Sequence, residues 1–244
     1  MEVLMYGLIP TNNHINYVKK LFPNEKATYK HVHFPLFKDA PIDVHVTTLK
    51  FYSGLYSNRL QKWIEQHKIE QFKNTKRLQE TGRDICLPTN KFNAVYQLGH
   101  MLIHLFDGGL GMRQVMGYFY VLKSLDISET ECVEITETID NLGMLRFAGA
   151  VMWIECNVCG LSADRCIVNP DEDLGRKLLE DILEGGNFGR HSQRYKNKKG
   201  FYLIGIIEAW RNIKLLSITP REGIARAFSR VWTAIKHPFI NLKC

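Results

Sequence analysis

The stretch His31-Val-His-Phe-Pro-Leu-Phe-Lys-Asp-Ala-Pro-Ile-Asp-Val-His-Val46 decides how the first third of the chain is read. Runs rich in β-branched and aromatic residues flank Lys38-Asp39-Ala40-Pro41, which predicts two short strands joined by a turn. Side chains alternate along a strand, so Asp43 and His45 share a face, and pairing sets His31 and His33 opposite them. A carboxylate beside imidazoles suits metal and phosphate chemistry. A two-metal site needs several carboxylates, however, and residues 1–27 contain only Glu2 and Glu25 as acids.

Outward from this hairpin, the patterning predicts strands over 28–37 and 42–51 and a helix over 58–68, where Leu60, Trp63 and Ile64 fall at helical spacing. Residues 70–87 read as two more short strands around Thr81-Gly82. From Asn90 onward the chain reads as successive helices. The first spans 91–106, capped by Thr89 and ended by Gly108-Gly109. Helices over 112–125, 128–141, 142–158 and 173–184 follow, the second of these capped by Ser128 with Glu131 three residues on. The last helices cover 201–218 and 221–237, with Thr219 as a cap and Pro220 at the first helical position. The expected class is α+β. A small mixed or antiparallel sheet region over residues 1–88 precedes a mainly α-helical domain over 89–244.

A chain of 244 residues with 45% hydrophobic content buries a sizeable core. No apolar run approaches the ~20 residues of a membrane span. The start, Met-Glu-Val-Leu-Met-Tyr-Gly, has no basic region ahead of an apolar one, and six irregularly spaced cysteines read as reduced thiols. The expected location is cytoplasmic. Residues 187–244 carry 12 Lys/Arg against Glu208 and Glu222, whereas 126–184 hold 14 acids against four basic residues. Such asymmetry predicts internal pairing, or an anionic partner such as phosphate, nucleic acid or a membrane surface.

Four further features carry candidate chemistry. His100 and His104 lie one helical turn apart, suiting either a metal or an internal hydrogen-bonded pair; a zinc hydrolase would want a glutamate where Met101 stands. Cys156, Cys159 and Cys166 offer three thiols without a fourth zinc ligand, and they also suit a packed apolar helix end. Gly185-Gly-Asn-Phe-Gly189 runs into the basic segment 194–199, as a phosphate-approaching turn or a helix-ending loop. Trp210, Phe228 and Trp232 alternate with Arg211, Lys214, Arg226, Arg230 and Lys236, fitting a membrane surface or packed helices with a solvated basic face.

Five motifs in order resemble a family of bacterial nucleotidyltransferase-like proteins: Lys30-His-Val-His33, Ile42-Asp-Val-His45, Gln97-Leu-Gly-His-Met-Leu-Ile-His-Leu-Phe106, Gly109-Leu-Gly-Met-Arg-Gln-Val115 and Leu178-Leu-Glu-Asp-Ile-Leu-Glu-Gly-Gly-Asn-Phe-Gly189. The resemblance runs from about residue 28 to residue 237 and implies a partial polymerase-β-type core before the helical domain. It implies transfer of a nucleoside monophosphate from a triphosphate to a hydroxyl acceptor, with two magnesium ions held by three acids. Under it, Asp43 matches the third, catalytic and metal-binding acid. His31, His33, His45, His104 and Arg113 match residues facing substrate and phosphate.

The departures are specific. No Gly-Ser turn and no Asp-x-Asp precede Asp43, and Gly117-Tyr118 stands where the family commonly has an aspartate and an aromatic. The expectation is a member shortened at its N-terminus. It would be inactive alone, with weak or absent Mg2+ binding and a sheet edge open to a protein partner. The alternative is a non-catalytic binding or scaffold pseudoenzyme with an anion-binding cleft and a basic tail. A histidine-based metal hydrolase is the third reading, set back by its few carboxylates.

Overall fold

The computed structural model describes residues 20, 23, 31–34, 42–45, 49–185 and 211–236. Among the described residues helices dominate, with two separate antiparallel ribbons of two strands each, so the class is α+β. The chain divides into two units, one of residues 1–50 and 64–89, the other of 51–63 and 90–244.

In the first unit, β1 (His31–Phe34) pairs with β2 (Ile42–His45). The strand expected over 42–51 is shorter than its composition suggested, since residues 49–51 are not strand. A second ribbon joins β3 (Thr75–Arg77) to β4 (Asp84–Cys86). Gly82, at φ 65°, turns the chain there, as the Thr81-Gly82 reading anticipated. Asn74 closes the ribbon's open end: its Nδ2 donates to the Leu87 carbonyl at 2.9 Å, and its own carbonyl accepts from the Leu87 N–H at 2.9 Å.

Helix α1 (Gly54–Lys73) is longer at both ends than the 58–68 expected. Its first ten residues belong to the second unit and the rest to the first. Near its end, buried Gln71 accepts from the Thr89 N–H at 2.7 Å and donates to the His67 carbonyl.

The second unit holds α2 (Asn90–Asp107), α3 (Met112–Lys123), α4 (Glu129–Asn141), α5 (Leu145–Asn157) and α6 (Glu172–Gly185). After these come a helical turn over 211–215 and α7 (Pro220–Lys236). Leu98, Met101, Leu102 and Leu105 of α2 join Val115 and Leu122 of α3 and Phe147 and Val151 of α5 in the core. At about 1.5–3 kcal/mol per fully buried apolar side chain, these dominate the unit's stability. The Tyr118 hydroxyl, buried among them, donates to the Ala94 carbonyl at 2.9 Å.

Ser128 caps α4 in a capping box with Glu131, as expected. Lys91 and the Ser128 cap together hold the Glu131 carboxyl down to about 2. The helix expected from 142 begins only at Leu145, because residues 142–144 complete a C-cap of α4. Gly143, at φ 73°, donates to the Asp140 carbonyl while Met144 donates to that of Ile139. α5 and α6 approach closely where a Cβ on Gly175 would come within 2.6 Å of the Trp153 ring.

At the start of α7, Pro220 occupies the first helical position, as read from the sequence. Thr219 does not cap with its side chain: its buried hydroxyl has no hydrogen-bond partner. The Glu222 carboxylate, instead of closing a capping box, accepts from the Tyr52 and Ser53 N–H groups at 2.7 and 3.0 Å. Burial raises its pKa, partly offset by those two bonds.

Candidate functional site

The four candidate residues of the hairpin are set by backbone register. His31 pairs with His45, and His33 with Asp43. Directly paired positions and positions two apart share a face, so 31, 33, 43 and 45 lie on one face of the ribbon. A slip of one residue would send these positions to the other face, so the register assembles the group. The turn over 38–41 lies outside the described residues.

His104 and Arg113 belong to the second unit. His104 sits on the last turns of α2, half-buried, with its Nε2 3.1 Å from that of His100. At that distance one ring can donate to the other. The distance fits an internal hydrogen-bonded pair, one of the two readings the spacing offered. The rings end a ladder along α2: Trp63 stacks on Phe92 with centroids 4.6 Å apart, Phe92 faces Tyr96, and Tyr96 faces His100. Arg113 is exposed on the first turn of α3.

Sequence reasoning missed the neighbours of this helix end. The Tyr52 hydroxyl donates to Asp107, the last residue of α2. Arg226 lies 3.5 Å from the same carboxylate, with its guanidinium 4.5 Å over the Tyr52 ring. A cation on the ring face and beside the carboxylate holds α7 against α2. Asp107 follows His104 by one turn, so the spacing was visible. Its partners, 55 residues before it and 119 after it, were not.

The cysteines also pair differently from their spacing. Cys156 Sγ lies 2.8 Å from Cys166 Sγ, while Cys159 faces Glu155. Glu155 is buried, and no hydrogen bond of good geometry reaches either carboxylate oxygen. Burial pushes its pKa up to about 8, slightly relieved by the Cys159 thiol. Burial and the Glu155 carboxylate push the Cys159 thiol up to about 11. Among the described residues no three His, Cys, Asp or Glu side chains are grouped to hold a metal ion.

The glycine-rich segment beyond Gly185 and the basic run over 194–199 lie outside the described residues. Of the charge asymmetry, one internal pair is explicit: Arg211 of the basic tail grips Asp181 of the acidic middle, at 2.9 Å from Nε and 2.7 Å from Nη2. No described helix is long and apolar enough to cross a membrane. No family model, curated protein or solved structure matches the chain.

Proposed function

We propose that this chain is a nucleotidyltransferase-like protein whose phosphate-facing element is the β1–β2 hairpin, and that alone it binds phosphate groups without completing nucleotidyl transfer. One observation supports the reading: the register that gathers His31, His33, Asp43 and His45 on one face. Imidazoles there offer N–H donors to phosphate oxygens, and Asp43 is the single carboxylate among them.

The donor set does not fit the two magnesium ions that the family's reaction uses. Magnesium is a hard cation that wants oxygen ligands in octahedral order, and one carboxylate among three imidazoles supplies too few. Calorimetry with Mg2+ and each nucleoside triphosphate tests the reading. The expected result is no magnesium-dependent binding tighter than ~1 mM, about 4 kcal/mol. A micromolar, magnesium-dependent affinity abolished by Asp43→Ala would overturn it.

A second reading, a non-catalytic scaffold, draws on α7. Its inward residues are Glu222 and Arg226, whereas Ile224, Phe228 and Trp232 are exposed at 49%, 71% and 60%. At four-residue spacing these three form one outward apolar stripe on the most basic part of the sequence, a pattern suited to an anionic lipid surface. Co-sedimentation with anionic vesicles at low salt discriminates the two readings. Absence of binding would end the second.

A further inference from the structure

We infer that Cys156 and Cys166 are a thiol pair built to close into a reversible disulfide by exchange with a low-molecular-weight disulfide, stapling the end of α5 to the turn that follows it. The two Sγ atoms are 2.8 Å apart, and a covalent S–S bond is about 2 Å, so closure asks for a shift of under an ångström.

The chain around the pair is already organised for this. Cys156 lies on the last turn of α5, and Cys166 caps the short 3-10 helix Ala163–Arg165, its N–H donating to the Ala163 carbonyl. Gly160, at φ 77°, reverses the chain between them. The reversal is tied down on both sides. Leu161 donates to the Glu155 carbonyl at 2.8 Å, and Arg165 Nη1 donates to the Leu125 carbonyl at 2.8 Å. Closing the ring therefore orders little that is not already ordered. Both cysteines are partly exposed, so a small disulfide can approach them.

The Cys-x-x-Cys spacing suggests a different couple, Cys156 with Cys159. In the fold Cys159 faces Glu155, and burial first, then the Glu155 carboxylate, disfavours its thiolate. The Cys166 thiol is itself pushed up to about 12, first by burial and then by its bond to Cys156. Cys156 is accordingly the attacking group. Its thiolate displaces one thiolate from the small disulfide, leaving a mixed disulfide on Cys156. That step removes the hydrogen bond and charge with which Cys156 held the Cys166 proton. The Cys166 thiolate then attacks Cys156 Sγ and releases the second small thiolate. Two protein thiols are oxidised, one small disulfide is reduced to two thiols, and two protons balance the leaving groups.

The full chain, equilibrated in graded ratios of oxidised to reduced glutathione, is quenched with an alkylating agent and read by intact mass and non-reducing peptide mapping. The expected result is loss of two of the six alkylatable thiols as the ratio rises, one Cys156–Cys166 cross-link, and a higher Tm for the oxidised chain. Cys156→Ser should restore alkylation of every remaining thiol, Cys166→Ser should lose the cross-link and hold glutathione on Cys156, and Cys159→Ser should leave the cross-link in place. The inference is overturned if the wild-type chain shows a Cys156–Cys159 link, glutathione trapped on Cys156, or six alkylated thiols at every ratio. The wild-type map alone decides if a serine variant fails to fold.

Discussion

Arg211 and Asp181 form a two-point ion pair with both side chains under a tenth exposed, and Arg211 Nη2 also donates to the Leu105 carbonyl at 2.7 Å. This contact secures the basic tail at Arg211 against the end of α2 and against α6. Much of the desolvation cost of the two charges is offset by the parallel geometry and the third hydrogen bond. Asp181→Ala is expected to lower unfolding stability by about 3–5 kcal/mol, since it leaves a buried guanidinium uncompensated. The double variant Asp181→Leu with Arg211→Met should cost less than either single change, retaining only the loss at the Leu105 carbonyl. Urea unfolding of Asp181→Ala, Arg211→Met and the double variant checks the order; a double variant less stable than Asp181→Ala would refute it.

Glu155 gives a stability profile with a definite sign. Its folded pKa of about 8 lies above the ordinary 4.5, so the folded chain holds the proton more tightly than the unfolded one. The contribution is fully present below pH 4.5. It is lost as pH rises to about 8, at about 1.4 kcal/mol per pH unit where the difference is complete. Glu155→Gln should flatten this window and be the more stable form at pH 8. Denaturant midpoints at pH 5, 6.5 and 8 measure it, and parallel profiles for the two proteins would remove Glu155 as the cause.

Much of the helical order was legible because its signals are local. Ser128 with Glu131, Thr81-Gly82 and Thr219-Pro220 each mark a boundary within a few residues. What was not legible depends on distant partners. Thr219 looked like a side-chain cap, yet Glu222 is drawn to backbone N–H groups 170 and 169 residues away. The aromatic residues of α7 suited either a membrane surface or a packed helix; in the fold Glu222 and Arg226 take polar partners, and Phe228 and Trp232 are exposed. The three cysteines read as an incomplete zinc set or a packed helix end, and nothing in their spacing marked the chain reversal at Gly160 that brings Cys166 to Cys156. The hairpin lies between these cases. Alternation and turn chemistry gave its pairing, while the roles of Asp43 and the histidines rest on chemistry that pairing alone does not supply.

Gly143 is constrained twice. Its φ of 73° is costly for any side chain, and a Cβ there would lie 2.3 Å from the Tyr56 ring. Gly143→Ala should cost about 1–2 kcal/mol from the backbone alone and more from displacing the ring. Tyr56 cannot yield freely, because the Arg59 and Arg221 guanidinium groups lie 5.8 and 5.6 Å from its ring centre. In a Tyr56→Ala background the cost of Gly143→Ala should fall to the backbone part. A double-mutant cycle by thermal or urea unfolding reads the difference, and a coupling near zero would show that the ring does not restrict this turn.

The hairpin register separates two roles for Asp43 by opposite signs. If the face receives phosphate directly, the Asp43 carboxylate repels the ligand that the imidazoles attract. Asp43→Asn should then strengthen metal-free binding of inorganic pyrophosphate. At the ~5 Å spacing of paired strand positions, one charge in a largely aqueous setting amounts to about 1 kcal/mol, roughly fivefold in affinity. His33→Asn, at the position directly opposite, should weaken the same binding, most strongly toward low pH where imidazole carries a proton. If Asp43 instead holds a metal that bridges to phosphate, Asp43→Asn weakens binding, and only with Mg2+ present. Calorimetry with pyrophosphate at pH 6 and pH 8, with and without Mg2+, distinguishes the two. Stronger metal-free binding by the Asp43→Asn chain supports direct phosphate contact, and a magnesium-dependent loss returns Asp43 to the role of metal ligand.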